Sequence, residues 1–175
     1  METLKYCKVR EVKSPVRAHA EDAGIDLYFP SSITKEELIE KMKVTKDTIF
    51  FTEENGFIKD ITLSPGQSIL LPSGLKVKIP TGHALILFNK SGIASKKHLH
   101  VGACVIDENY QAECHINLTN VGSSNITFSA DEKLVQGIVL PINYCQVEEV
   151  ANDNELYNGI VTDRGQTGFG STDHQ

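Results

Sequence analysis

The stretch from Arg164 to Thr172 contains residue types that bind the phosphates and the base of a nucleotide. Its glycines let backbone amides approach an anion closely, and the guanidinium of Arg164 offers two parallel donors to phosphate oxygens. The hydroxyls of Ser171 and Thr172 add donors, and the ring of Phe169 can stack on a flat base. A frayed glycine-rich tail has the same composition, so this stretch alone leaves both interpretations open. A P-loop is disfavoured because no lysine precedes Ser171.

A second candidate phosphate-binding segment follows a continuously apolar run over residues 84–88. Lys90, Ser91 and Gly92 place a cation, a hydroxyl and a glycine directly after this run, which suits a phosphate cradle at a strand end. Taken alone, the same residues also fit a solvated turn with an ordinary surface lysine.

The third candidate is a carboxylate, Asp107, which follows the apolar pair Val105 and Ile106 and precedes the aromatic Tyr110. A carboxylate next to a bound phosphoester can orient and deprotonate a water molecule. Considered by itself, an aspartate at such a position is more often a turn residue.

Length and composition limit the class of protein. The chain has 175 residues, 40% hydrophobic and 23% charged, which is typical of one globular domain. The formal net charge of −6 argues against binding to nucleic acid, and no apolar run is long enough to span a membrane. The N-terminus lacks the apolar stretch of a signal peptide, so we expect a cytoplasmic protein.

Short apolar or alternating runs between Gly and Pro residues predict a mainly β fold. In the run from Leu75 to Ile79, apolar residues alternate with lysines, as expected for a half-buried strand. Strands are predicted over residues 68–71, 75–79, 84–88, 115–121 and 134–140.

One segment departs from the β pattern. Thr34 and Glu37 form a capping-box sequence, and the apolar residues after them recur on one helical face, which predicts a short helix over 35–43. The pair Asn55-Gly56 then favours a tight hairpin turn. We interpret residues 31–60 as a segment inserted between two strands.

Taken together and in order, five segments resemble the motifs of the trimeric dUTPase family, the deoxyuridine triphosphate nucleotidohydrolases. These segments are residues 23–27, 89–92, 101–113, 132–136 and 164–172. The resemblance implies an all-β, distorted jelly-roll barrel that forms a homotrimer with active sites between subunits. It further implies a single domain over 1–175 whose residues 163–175 form a flexible arm, and the insert suggests a viral or phage type acting in the host cytoplasm.

The reaction implied by the resemblance converts dUTP and water to dUMP and pyrophosphate, with Mg²⁺ on the triphosphate. It would keep uracil out of DNA and supply dUMP for dTMP synthesis. Asp107 would be the general base, and Asp26 would hold the metal through water. The hairpin from Val101 to Ile106 would bind uracil through its backbone, and Tyr110 would pack under the deoxyribose. The substrate-binding residues implied are Lys90, Ser91, Gly92, Val101, Cys104, Val105, Ile106, Tyr110, Gln136, Arg164, Phe169, Gly170, Ser171 and Thr172.

The chain also departs from the family pattern at several positions. Lys90 replaces the usual arginine and so loses a bidentate contact while keeping its charge. Cys104 and Ala112 replace glycines, which would strain the backbone by about 1 kcal/mol or more if φ were positive there. Two alternatives remain: a dCTP deaminase-like enzyme of the same fold, and a regulator that binds a protein partner through residues 31–60.

Overall fold

The computed structural model describes residues 2–42 and 49–162, without the side chains of Lys41 and Met42. The strands are β1 Lys5–Lys8, β2 Ile25–Tyr28, β3 Ile49–Glu54, β4 Phe57–Leu63, β5 Ser68–Pro72, β6 Leu75–Lys78, β7 His83–Asn89, β8 Leu99–Val101, β9 Val105–Ile106, β10 His115–Asn120, β11 Ile126–Ser129 and β12 Lys133–Pro141. The helices are α1 Lys35–Met42, α2 Ser91–Lys97 and α3 Asp153–Tyr157. The expectation of a mainly β chain is therefore confirmed, and each of the five predicted strands is present.

The strands pair in four antiparallel sheets, ordered β1-β6, β5-β10-β8, β11-β4-β3 and β2-β12-β7-β9. Within the described ranges the sheets remain separate and do not close into one hydrogen-bonded barrel. The chain divides into two compact units, residues 1–143 and 144–175, and all four sheets belong to the first. The single domain expected over 1–175 stays a prediction.

The hydrophobic core of the first unit follows from the two-residue period of its strands. In β10 every second residue is buried, which places Ile116 and Leu118 in the core with Asn120. The buried amide of Asn120 is fully used: its Nδ2 donates to the Leu63 and Ser124 carbonyls, each at 2.9 Å, and its Oδ1 accepts from a backbone amide. A buried polar group is tolerated here because its hydrogen bonds are made.

The segment over residues 31–60 contains the helix and hairpin that the sequence predicts. The hydroxyl of Thr34 accepts a 3.2 Å bond from the Glu37 amide at the start of α1. Asn55 and Gly56 have φ values of 55° and 82°, which are those of a tight turn joining β3 and β4.

Side chains from this segment are part of the core. Ile33, Leu38, Ile49 and Ile58 are all at most 3% exposed. Strand β4 lies between β3 and β11, so the segment also supplies the centre of a sheet.

The phosphate cradle predicted at Lys90, Ser91 and Gly92 coincides with the start of helix α2, and its binding role stays a prediction. One sequence expectation is wrong in detail. Val101 and Ile106 do not face each other in a hairpin, because β8 pairs with β10 while β9 pairs with β7. The backbone there is instead held by two different sheets.

The second unit is described from Tyr144 to Thr162 and contains helix α3. The side chain of Asn152 caps it by accepting from the amides of Asn154 and Glu155, at 3.0 and 3.2 Å. The arm predicted over residues 163–175 lies outside the described residues. No helix in the described ranges is both long and apolar enough to cross a membrane.

Replacing Ile58 with alanine tests the contribution of the 31–60 segment to the core. Ile58→Ala should lower the free energy of unfolding by about 2–5 kcal/mol, because it opens a cavity at a site 1% exposed. Phe57→Ala, at the adjacent and 41% exposed position, should cost less than about 1 kcal/mol. Urea denaturation of both variants measures the difference, and equal losses would contradict this account.

Candidate active site

The central strand β12 aligns three of the sequence motifs. It lies between β2 and β7, where Gln136 is opposite Asp26 on one side and Phe88 on the other. The side chain of Gln136 donates to the Asn89 carbonyl at 2.9 Å. A Cβ at Gly24 would collide with Oε1 of Gln136, so a glycine is needed for this close approach.

Asp26 is buried and lies between two lysines. Nζ of Lys90 is 2.5 Å from Oδ1, and Nζ of Lys133 is 2.8 Å from Oδ2. Oδ2 nevertheless receives no hydrogen bond of good geometry from a described residue, so its contact with Lys133 is an ion pair. We call Asp26, Lys90, Lys133 and Gln136 the Asp26 cluster.

The two lysines determine the charge state of Asp26. Burial alone would raise the pKa of this carboxyl, but Lys133 and Lys90 outweigh it and hold the pKa below its ordinary value of 3.8. The carboxylate in turn raises the pKa of Lys133. The ion pair between Asp26 and Lys133 therefore favours the charged form of both groups.

A cleft of about 270 Å³ lies beside β9 and forms the other half of the candidate site. We call it the β9 cleft. Its lining residues are Leu70, Leu87, Ala103, Cys104, Val105, Ile106, Asp107, Tyr110 and His115. Five of the predicted site residues, Cys104 to Asp107 and Tyr110, are thus brought together.

Pairing and turn contacts position the two functional side chains of the cleft. Ile106 pairs with Leu85 of β7, which fixes where β9 ends and Asp107 begins. The Tyr110 amide donates to the Asp107 carbonyl at 3.1 Å, which closes a turn between them. Asp107 is exposed, and its carboxylate has no hydrogen-bond or ion-pair partner elsewhere in residues 2–42 and 49–162, so it is free to accept a bond from water.

The structure does not bring every predicted residue to the cleft. Val101 lies in β8, and its amide donates to Oδ1 of Asn89 at 2.7 Å. Ser91 and Gly92 are exposed at the start of α2. The five arm residues Arg164, Phe169, Gly170, Ser171 and Thr172 lie outside the described residues.

The Asp26 cluster and the β9 cleft adjoin the same strand, β7, from its two sides. Gln136 of the cluster lies opposite Phe88 on the β12 side, and Val105 and Ile106 of the cleft pair with β7 on the β9 side. Leu87, the neighbour of Phe88 in β7, lines the cleft. None of the cluster residues lines the cleft.

Sequence reasoning missed Lys133 and His115 as site residues. Lys133 follows Glu132 in a recognised motif, but only the pairing of β12 with β2 shows that it faces Asp26. His115 lies outside the five motif segments, but it lines the cleft as the first residue of β10. Cys104 and Ala112 do not have positive φ, so these replacements of glycine do not strain the backbone.

Comparisons with known proteins agree on one family. A family model for dUTPase matches residues 57–173. The deoxyuridine 5'-triphosphate nucleotidohydrolase of Corynebacterium jeikeium is 31% identical over 166 residues, covering 93% of this chain and 87% of that protein.

Solved structures show the same fold. The Staphylococcus bacteriophage 80alpha dUTPase with dUPNHPP superposes with a TM-score of 0.70 at 20% identity, covering 98% of this chain and 99% of that one. The dUTPase from phage phi11 of S. aureus gives 0.64 at 20% identity over 86% of this chain and 97% of that one. The jelly-roll fold expected from the sequence is therefore confirmed.

The lowered pKa of Asp26 predicts how Asp26→Asn changes stability with pH. The charged form of Asp26 stabilises the folded chain, and this contribution is complete above the ordinary pKa of 3.8. It is lost as the pH falls through the lower pKa of the folded state. Asp26→Asn should therefore cost about 1–3 kcal/mol near neutrality. The cost should shrink as the pH falls below the ordinary value of 3.8.

Urea denaturation at a series of pH values measures this cost. Asp107→Asn is the matched control, because it removes an exposed carboxylate and should change stability little at any pH. A cost for Asp26→Asn that stays constant or grows towards pH 2 would refute the ion-pair account.

Proposed function

The chain belongs to the dUTPase family, and from this premise we propose that it hydrolyses dUTP to dUMP and pyrophosphate. The observation that supports this most directly is that Asp107 and Tyr110 line one cleft with the backbone of Ala103 to Ile106. A base, an aromatic ring and polar backbone groups are what a site for a nucleoside and an attacking water needs.

Asp107 acts in this proposal as the general base. Its exposed carboxylate, without a side-chain partner among the described residues, can orient a water towards the α-phosphorus and accept its proton. Tyr110 packs its ring against the deoxyribose, where a 2'-hydroxyl would collide. The β9 cleft, at about 270 Å³, is at the small end of ligand pockets, so it holds the nucleoside while the triphosphate extends outside it.

The described residues do not form a magnesium site of their own. They contain no group of three or more His, Cys, Asp or Glu side chains that could hold a metal ion. Asp26, the residue expected to hold the metal through water, is engaged by Lys90 and Lys133. We therefore treat Mg²⁺ as part of the substrate, carried on the triphosphate, where it would offset phosphate charge.

We further propose that each active site is shared between copies of the chain in a homotrimer. The Asp26 cluster carries two cations for phosphates, but none of its residues lines the cleft that carries the base. A neighbouring copy could place its cluster opposite this cleft. The same sheet exposes Phe88 on β7, Val105 on β9 and Leu140 on β12, which is what an interface between copies would bury.

Three further expectations stay predictions. The arm from Arg164 to Thr172 would close over the nucleotide and exclude water. A protein partner would bind the segment over residues 31–60, whose hairpin exposes Phe50 and Phe57. The third expectation is a location in the cytoplasm, which would be that of a host cell if the protein is viral.

Incubation with each deoxynucleoside triphosphate and Mg²⁺ tests the activity and the base together. The wild-type chain should release pyrophosphate from dUTP, and Asp107→Asn should lower this rate about 10²–10⁴-fold. The variant should still bind dUPNHPP, because the base contributes to turnover rather than to ground-state binding. Ammonia release from dCTP would instead favour the deaminase-like alternative, and near-normal turnover by Asp107→Asn would refute the role of the base.

Mixing two inactive variants tests the shared site. Asp107→Asn and Asp26→Asn, refolded together in equal amounts, should regain about a quarter of wild-type activity. Roughly three quarters of the trimers contain both variants. In each of these, one of the three sites has both native residues, so about a quarter of all sites are intact. Sedimentation should give about 58 kDa, three times 19.3 kDa. A mixture as inactive as its components would show that the site lies within one chain.

A further inference from the structure

Arg10 holds two carboxylates from distant parts of the chain. Its Nε and Nη2 donate to Oε1 and Oε2 of Glu113, at 2.7 and 2.8 Å. Its Nη1 and Nη2 donate to Oε2 and Oε1 of Glu37, at 2.9 and 2.8 Å. Glu113 ends the loop that begins with Asp107, and Glu37 lies in helix α1. One guanidinium therefore joins the 31–60 segment to the loop of the β9 cleft.

The three side chains are shielded from solvent. Arg10, Glu37 and Glu113 have side-chain exposures of 15–17%, in contrast to the surface pair Lys59–Glu54 at 54% and 62%. Glu113 and then Glu37 raise the pKa of Arg10 above its ordinary value, so the guanidinium stays charged. Two bidentate contacts shielded from solvent fix the distance and the orientation of both glutamates relative to Arg10. A single contact of a surface lysine does not do this.

Glu113 connects Arg10 to the cleft through its own hydrogen bonds. Its Oε1 also accepts from the Gly74 amide at 2.7 Å, which fixes the carboxylate against the turn between β5 and β6. Its backbone carbonyl accepts from the hydroxyl of Tyr110 at 3.0 Å, and the Tyr110 amide bonds to the Asp107 carbonyl. A continuous series of hydrogen bonds therefore runs from Arg10 to the two functional residues of the cleft.

We propose that Arg10 is a positioning residue for the nucleotide pocket, and that Glu37 makes the order of that pocket depend on helix α1. Arg10 and Glu37 do not line the cleft, so they act through the loop over residues 107–113. This inference rests on the proposed function, since the pocket it concerns is the one assigned to dUTP.

Glu37→Gln is the primary test, because it keeps the size of the side chain and leaves the Arg10–Glu113 contact in place. It should raise KM for dUTP and weaken dUPNHPP binding about three- to tenfold, while kcat changes less than about twofold. In the variant, substrate binding would have to order the loop over residues 107–113, which is already ordered in the wild type. This cost weakens binding. Arg10→Lys, which loses both bidentate contacts, should give a larger effect in the same direction.

Two controls separate positioning from general stability. Glu54→Gln makes the same substitution in the same segment at an exposed ion pair, and it should leave KM unchanged. Ile58→Ala destabilises the core near α1 and should lower the melting temperature without the change in KM. If Ile58→Ala raises KM as much as Glu37→Gln does, the effect is one of stability and the proposal is wrong.

Hydrogen exchange provides a readout that does not need activity. Amides of residues 107–113 should exchange faster in Glu37→Gln and Arg10→Lys than in the wild type or in Glu54→Gln. Unchanged exchange, together with unchanged KM, would overturn the role of Arg10. A wild-type chain that does not hydrolyse dUTP would overturn the proposed function, while the exchange result would still decide whether Arg10 orders the loop.

Discussion

The backbone pairing of β12 between β2 and β7 is the constraint on which the site depends. Its register sets Gln136 between Asp26 and Phe88, and thereby brings residues more than a hundred positions apart into contact. Burying Asp26 is costly unless it is paired, and the same register supplies Lys133 and the end of β7 that carries Lys90. The charged cluster is thus a consequence of the register in which these strands pair.

The same sheet holds the two halves of the proposed site on opposite sides of one strand. β7 pairs with β12, which carries Gln136 of the cluster, and with β9, which borders the cleft. In the proposed trimer, a triphosphate whose nucleoside lies in the β9 cleft would reach the cations of another copy. Such an assembly would combine a base with phosphate-binding cations and would bury the exposed apolar residues of this sheet.

The sequence predicts those features that depend on interactions between residues close together in the chain. The alternation over residues 75–79, the cap at Thr34 and the turn at Asn55-Gly56 each depend on neighbours along the chain, and each is found as predicted. The false hairpin after Val101 shows the limit, because strand partners are chosen by the whole core and not by the loop between strands. The contacts of Arg10 cannot be predicted from the local sequence for the same reason, because its partners Glu37 and Glu113 lie 27 and 103 residues away.

Lysine in place of arginine at position 90 fits the way the Asp26 cluster is built. An arginine would present a rigid planar fork whose donors point in fixed directions. The ammonium of Lys90 has three donors on a flexible stem and is partly exposed, so it can keep one bond to Asp26 while turning another towards a phosphate oxygen. If Lys90 turned to a phosphate, the ion pair of Lys133 with the other carboxylate oxygen would keep Asp26 paired. In the proposed site, Lys133 would therefore allow Lys90 to bind the substrate.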